Sequence, residues 1–111
     1  MRAGFRNLVI DARPRGPHGP LAAEVVLGRS VLARLVDQAL AAVGPDEGVA
    51  VLGGRDVIPL LADVDTDRVA LIDREPASAP TVRTDRLYDA RRLKRAVRRG
   101  RDPEGATIWR L

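Results

Sequence analysis

The sequence predicts an α/β domain in which a small, mainly parallel sheet is flanked by helices. Three observations support this prediction. Short apolar segments alternate with helical segments along the chain, which is the order typical of a parallel sheet with packed helices. The apolar segments are hydrophobic at consecutive positions, as expected for strands that are covered on both faces. A length of 111 residues without cysteine suits one small domain that has no disulfide bonds.

The first predicted strand lies at 6–11, where an apolar run is bounded by polar residues. The clearest helix signal follows at 30–45, because apolar residues recur there with helical spacing. Ser30 suits the N-cap of this helix, and Gly44 followed by Pro45 suits its end. The loop between the two elements holds three prolines and the only histidine of the chain.

A second strand is predicted at 48–54 and a third at 67–73, both rich in valine and leucine. Between them, 56–64 is predicted to form a short helix. Asp56 would cap this helix, and Pro59 would fall in its first turn, where a missing N–H matters little. The remaining elements are a loop at 74–81, a brief edge strand at 82–84, a helix at 89–100 between Asp89 and Gly100, and an extended segment at 106–111.

Charge is distributed unevenly along the chain. Residues 1–84 hold ten basic and eleven acidic side chains, whereas residues 85–111 hold nine basic and four acidic ones. This contrast predicts an α/β core at 1–84, followed by a basic helix and a terminal extended segment at 85–111 that pack on the core or extend from it.

Polar residues follow each predicted strand at its carboxyl end, where ligands bind in open α/β sheets. Each end carries an arginine, and arginines beside free backbone amides at a helix start suit an anion. Asp73 is the candidate ligand for a cation. The alternative is that these loops are polar for solubility alone, in a chain that contains eighteen arginines. The residues predicted to bind a phosphate or a nucleotide are Arg13, Arg15, Gly16, Gly53, Gly54, Arg55 and Arg74.

The helix at 89–100 is basic on nearly every face apart from a narrow apolar stripe. Three interpretations compete for it: a solvated surface helix, a helix that docks on anionic lipid headgroups, and a helix that binds nucleic acid. Nucleic acid is disfavoured because aromatic residues make up only 3% of the chain and stacking platforms are therefore scarce. The residues predicted to bind an anionic surface are Arg91, Arg92, Lys94, Arg95, Arg98 and Arg99.

The stretch LVIDARPRGPHGPLAAEVVLGRSVLARLVDQAL resembles the opening of nucleotidyltransferases related to sugar-nucleotide pyrophosphorylases and molybdenum-cofactor guanylyltransferases. The shared order is a strand, a glycine-rich loop with a basic residue, a Pro-Leu pair and a Gly-Arg pair before a helix. The resemblance covers roughly residues 6–72. It implies the Rossmann-like half of a nucleotidyltransferase domain, a bound nucleotide, and Mg²⁺ as the cofactor of any remaining chemistry. The family's metal-binding aspartate lies on a strand beyond the third, so Asp73 is only the best candidate ligand that this chain offers. Arg15 is the nearest match to the family's catalytic basic residue.

The loop departs from that family at Pro14, Pro17 and Pro20, which remove three amide donors. The resemblance therefore implies a degenerate domain that binds a nucleotide weakly and does not catalyse alone. Residues 84–111 are similar to the segment that joins such domains to membrane-embedded CDP-alcohol phosphotransferases, so they imply a regulatory module beside phospholipid head-group synthesis. The alternative function is a non-catalytic domain whose basic helix docks on an anionic membrane or an acidic partner. The sequence shows no export signal, which predicts a cytoplasmic protein that can associate with a membrane.

Overall fold

A computed structural model describes residues 8–76 and 79–107, and these contain ten short strands, two α-helices and three 3₁₀ helices. The α-helices are α1 (Val31–Ala42) and α2 (Ala90–Arg99), and the 3₁₀ helices are Leu21–Ala23, Arg55–Leu61 and Thr66–Arg68. The strands are β1 (Val9–Asp11), β2 (Arg15–Gly16), β3 (Gly19–Pro20), β4 (Val25–Val26), β5 (Arg29–Ser30), β6 (Val49–Leu52), β7 (Val69–Ile72), β8 (Thr81–Arg83), β9 (Arg86–Leu87) and β10 (Ala106–Thr107).

Four of the strands form one parallel sheet in the order β7-β6-β1-β8. Val9 of β1 pairs with Ala50 on one side and with Thr81 on the other. The predicted α/β class and parallel sheet are confirmed. Strands β6 and β7 are shorter than predicted, and β8 keeps its predicted length but begins one residue earlier. Two residues of the first predicted strand and the last four of the terminal segment lie outside the described residues.

The two faces of the sheet carry alternate residues of the same strands. Leu8 and Ile10 point into the larger apolar cluster, which also contains Leu93 of α2 and the apolar side of α1. Val9 and Leu52 lie in a second cluster on the opposite face. Because successive side chains of a strand alternate between faces, burial of both faces explains the unbroken hydrophobic runs in the sequence.

Helix α1 begins as predicted and ends early. The hydroxyl oxygen of Ser30 accepts a hydrogen bond from the Ala33 N–H at 3.0 Å, which confirms the N-cap. The helix stops at Ala42, before the predicted end at 45. The guanidinium of Arg68 donates to the carbonyls of Leu40, Gly44 and Glu47 at 3.3, 2.8 and 2.9 Å. This side chain, 24 residues away from Gly44, thus bonds one carbonyl of the last helical turn and two carbonyls of the loop that follows it.

The segment predicted as a helix at 56–64 is a 3₁₀ helix over Arg55–Leu61, so this prediction was only partly right. Gly54 occupies the N-cap position, and no side chain caps the helix. Asp56 therefore lies inside the first turn. Pro59 is an interior residue of the helix, and its missing N–H removes one helical hydrogen bond. This loss favours a short, tight helix over a regular α-helix.

Helix α2 ends at Gly100, as the sequence predicts. Gly100 has φ 66°, a left-handed conformation that glycine adopts easily. The N–H of Gly100 donates to the Val97 carbonyl at 3.2 Å, and the N–H of Arg101 donates to the Ala96 carbonyl at 3.0 Å. These two bonds form a Schellman cap. At the other end Asp89 holds the N-cap position, but its side chain makes no capping bond.

The basic helix shares its core with the rest of the domain. Leu93 has 0% exposure and belongs to the same cluster as Ile10 of β1 and Val36 of α1. The amide of Gln38 on α1 also donates to the Tyr88 carbonyl, just before α2, at 2.7 Å. Residues 85–100 are therefore packed against α1.

Candidate functional site

The carboxyl ends of β6 and β7 flank an open cleft of about 630 Å³. Leu71 and Ile72 form its apolar part. The rest of its lining comes from residues that directly follow the two strands. The structure therefore brings together five of the predicted site residues, which are Gly53, Gly54, Arg55, Asp73 and Arg74.

The two arginines of this cleft are unpaired. Within the described ranges, neither Arg55 nor Arg74 makes a hydrogen bond or an ion pair, and both are exposed. Most arginines of the α/β core behave differently: Arg29, for example, is paired with Asp37 and Asp63. An unpaired guanidinium keeps all of its donors for an external anion, and its planar fork suits phosphate oxygens.

The two glycines of the cleft have different roles. The N–H of Gly54 has no hydrogen-bond partner in the described part of the chain, so it is open to a ligand. The N–H of Gly53 donates to the Ile72 carbonyl at 3.2 Å and is already used. A Cβ at Gly53 would lie 3.3 Å from the Val57 side chain, so this glycine allows close packing. Of the two predicted amide donors, only Gly54 is free.

Arg13 lies at the end of β1 and bridges two carboxylates. Its Nε donates to Asp11 at 2.9 Å, and its second terminal nitrogen donates to Asp11 at 3.0 Å and to Glu75 at 2.6 Å. By binding both carboxylates, Arg13 connects the loop after β1 to the loop after β7. These hydrogen bonds raise the pKa of Arg13 further above its ordinary value. Arg13 therefore connects two loops at the carboxyl edge of the sheet, and the carboxylates of Asp11 and Glu75 balance most of its positive charge.

Asp11 is one of two buried polar residues among the described ones, with 7% exposure. Burial raises its pKa, but hydrogen bonds from the Arg13 side chain and backbone, together with the charges of Arg13 and Arg83, outweigh that effect. The pKa of Asp11 consequently lies below its ordinary value of 3.8. Asp11 remains ionised at neutral pH and fixes the start of the loop through the Arg13 N–H at 3.0 Å.

This depressed pKa predicts how the Asp11→Asn variant depends on pH. The carboxylate stabilises the fold above about pH 4, and its contribution is lost as the pH falls through the folded-state pKa. We expect Asp11→Asn to unfold about 1–2 kcal/mol more easily than the wild type at neutral pH, because bonds to a charged group are lost. Urea unfolding across a pH series should show the difference shrinking as the pH falls below 3.8 and through the folded-state pKa. Asp46→Asn, at an exposed carboxylate, is the control. A difference that is constant with pH would contradict this account.

The proline-rich loop forms a tight β-hairpin. Strands β2 and β3 pair Arg15 with Pro20 and Gly16 with Gly19, and the Leu21 N–H donates to the Pro14 carbonyl at 3.0 Å. A Cβ at Gly16 would collide with the Leu21 side chain, so close packing requires this glycine. Neither Arg15 nor Gly16 lines the cleft between β6 and β7. The hairpin thus holds Arg15 and Gly16 apart from the other predicted site residues, and their role in binding a phosphate stays a prediction.

Thr84 is a buried residue of this edge that the sequence did not single out. It has 0% exposure, and its N–H donates to the Asp11 carbonyl at 3.1 Å. Its hydroxyl has no hydrogen-bond partner in the part of the chain that the structure describes. Thr84 lies between β1 and β8, where the strand order of the sheet reverses. A single threonine after a short strand carries no sequence signal that would have found it.

The protein groups around Asp73 are poorly suited to hold a metal ion. Across residues 8–76 and 79–107, no group of three or more histidine or carboxylate side chains is placed to hold one. Asp73 instead shares its cleft with the positive charges of Arg55 and Arg74, which repel a cation. The charged groups that line the cleft therefore suit an anion better than they suit Mg²⁺.

Helix α2 carries a second set of predicted binding residues on its exposed surface. All six of these cationic side chains are exposed, and none has a partner among the residues that the structure describes: Arg91, Arg92, Lys94, Arg95, Arg98 and Arg99. The predicted basic surface is thus present and electrostatically uncompensated. No helix in the described ranges has the length and apolar character needed to cross a bilayer.

Comparison with known proteins identifies no relative. No protein-family model matches the chain, and no curated protein or solved structure is significantly similar to it.

Proposed function

We propose that this domain binds the phosphate groups of a nucleotide weakly in the cleft between β6 and β7 and does not catalyse a reaction alone. The observation that carries the proposal is the pair of unpaired arginines, Arg55 and Arg74, in one cleft beside the free N–H of Gly54. Charged donors and an open amide together match the needs of a phosphate.

Contrast with the neighbouring arginines strengthens the choice of this cleft. Arg13 is held by Asp11 and Glu75, and Arg83 is held by Asp85 at 2.9 and 2.8 Å. A ligand at the ends of β1 and β8 would have to break these pairs. A ligand between β6 and β7 finds free donors. The openness of the cleft to solvent keeps binding weak, because exposed charges are well screened.

We propose binding without catalysis, because the cleft lacks a suitable metal site and a match to the catalytic basic residue. Nucleotidyl transfer would need Mg²⁺, and Asp73 is the candidate ligand in the cleft, with two arginines beside it. The closest match to a catalytic basic residue, Arg15, lies in the β2–β3 hairpin. A degenerate nucleotidyltransferase-like domain that serves as a regulatory module fits this arrangement. Its proposed context beside a CDP-alcohol phosphotransferase rests on the resemblance of residues 84–111.

A second function is favoured by the uncompensated charge of α2. Six exposed cationic side chains without partners in the described structure suit docking on an anionic membrane or on an acidic partner. This interaction uses the surface of α2, so it is compatible with nucleotide binding in the cleft.

Thermal unfolding with nucleotide tests the first proposal. We expect ATP, CTP or GTP with Mg²⁺ at about ten times its Kd to raise Tm by about 6 °C. The double variant Arg55→Gln/Arg74→Gln should lose this shift and keep the Tm of the free protein, because neither side chain has a partner to lose.

The matched control is Arg91→Gln/Arg98→Gln, which removes the same charge from α2. It should retain the nucleotide-induced shift. A wild-type Tm that does not move at millimolar nucleotide, or equal shifts in the two double variants, would show that the cleft is not the site.

A further inference from the structure

Exposed apolar side chains are concentrated on two neighbouring elements, and two of these side chains, Val26 and Leu87, line a cavity between them. Six large apolar side chains are exposed in residues 8–76 and 79–107, and four of them lie on the β4–β5 hairpin and on β9. The cavity between these elements has a volume of about 340 Å³ and is floored by Val31, Leu35 and Tyr88. The four exposed residues are Val25, Val26, Leu27 and Leu87. We name this surface, with the cavity, the apolar tip region.

Leu27 occupies a position that the fold alone does not explain. It is 89% exposed and has φ 52°, and it is followed by Gly28 with φ 84°. A two-residue hairpin loop with positive φ at both positions is of the type I′ class, which strongly prefers Asn-Gly. Leucine is strained there and gains no burial within the domain. An exposed, strained leucine at a hairpin tip is suited to contact a binding partner.

The hairpin is held rigidly against α1. The Nε of Arg34 donates to the Val26 carbonyl at 2.7 Å, and its terminal nitrogen donates to the Leu27 carbonyl at 3.0 Å. The tip is therefore ordered before any partner arrives, which lowers the entropy lost on binding.

Positive charge adjoins the apolar tip region. Arg34 and Arg86 lie at the rim of its cavity, and a neighbouring cavity shares Leu87 and Tyr88 with Arg92 of α2. Arg92, Arg95 and Arg99 are three and four residues apart, so they form one ridge of the helix. A second copy of the chain would bring these cations against each other. Arg86 is paired with Asp85, and Arg34 is bonded to two carbonyls, whereas the cations of α2 are unpaired in the described structure. Apolar side chains beside these unpaired α2 cations match the interface of an anionic bilayer.

We propose that the β4–β5 hairpin inserts Leu27 into the boundary between headgroups and acyl chains of an anionic bilayer, while Arg92 and Arg95 bind the lipid phosphates. The proposal rests on the second function, docking through α2, and adds an apolar anchor to it. Because electrostatic attraction is screened by salt and apolar insertion is not, the two contributions can be separated.

Sedimentation with vesicles is the experiment, using phosphatidylcholine vesicles with and without phosphatidylglycerol at low and high salt. We expect Leu27→Asn to weaken binding to the anionic vesicles roughly tenfold or more, because an apolar side chain is no longer buried. Asn-Gly is the preferred type I′ pair, so the Tm of this variant should be equal to or above that of the wild type. Ile58→Asn is the matched control, since Ile58 is 52% exposed and does not line the cavity. It should bind as the wild type does.

Charge variants of α2 and variants of Leu27 distinguish docking by α2 from insertion of the hairpin. Arg92→Gln/Arg95→Gln should reduce both the binding and its salt dependence. If these charge variants lose binding while Leu27→Asn binds normally, docking by α2 holds and insertion of the hairpin is wrong. A Leu27→Trp variant whose emission does not shift to shorter wavelength with vesicles, relative to the wild type, would overturn insertion as well. Absence of wild-type binding at low salt would overturn both lipid proposals and leave an acidic protein as the partner of α2.

Discussion

Replacing Leu93 with alanine is expected to lower the free energy of unfolding by about 3–5 kcal/mol. Leu93 is the only buried residue of α2. Its side chain has 0% exposure and packs in the cluster formed by β1, β6 and α1. Removing its branched end leaves a cavity in a small domain, whose total stability is only about 5–15 kcal/mol. The variant should therefore unfold at a clearly lower urea concentration and a clearly lower Tm than the wild type.

The control for this prediction is Leu87→Ala, which shortens an exposed leucine of β9 by the same atoms. Its effect should stay within about 0.5 kcal/mol, as for most surface substitutions. A loss below about 1 kcal/mol in Leu93→Ala would mean that α2 is not part of the core. The basic surface of α2 would then have no fixed position relative to the apolar tip region.

The second large effect is expected for Arg68→Ala, which should destabilise the fold by about 2–4 kcal/mol. The guanidinium donates to the carbonyls of Leu40, Gly44 and Glu47, which lie at and just after the end of α1. Each hydrogen bond from a charged donor contributes about 1.5–3 kcal/mol, and unpaired carbonyls at a partly buried site have a further cost. The three contributions overlap, because one side chain makes them all.

Arg68→Lys separates geometry from charge. A lysine ammonium keeps the positive charge but cannot reproduce the planar fork that reaches three carbonyls. We expect it to recover less than half of the lost stability. Arg15→Ala is the control, because the Arg15 side chain is exposed and has no partner among the described residues. Full recovery of stability in Arg68→Lys would show that charge at the end of α1, rather than the three hydrogen bonds, is what matters.

The helices could be predicted from sequence because their signals are local. Ser30 caps α1 through an N–H three residues away, and Gly100 ends α2 with bonds that span four and six residues. The buried strands were equally visible as unbroken apolar runs. The end of α1 falls at Ala42, just before the predicted stop at Gly44 and Pro45, but its contact with Arg68 joins residues far apart in the chain. Local patterns carry no information about such a partner.

Neither the hairpins nor the pairing state of each arginine could be predicted from the sequence, for related reasons. Strands β2 to β5 are two residues long, too short for any periodicity to show. Arg13 and Arg55 both follow a strand in the sequence and have identical chemistry. Only the fold shows that Arg13 is neutralised by Asp11 and Glu75, whereas Arg55 remains unpaired in the described structure. The edge of the sheet was predictable, and the choice among its arginines was not.

An amide NMR titration with ATP and Mg²⁺ at constant salt tests the central claim most directly. If the cleft between β6 and β7 binds phosphate, the largest shifts should appear at Gly54, Arg55 and Arg74, and they should disappear in Arg55→Gln/Arg74→Gln. The amides of the β2–β3 hairpin, including Arg15 and Gly16, should move little. Shifts concentrated on that hairpin, or none anywhere on the sheet edge at millimolar ATP, would contradict the account.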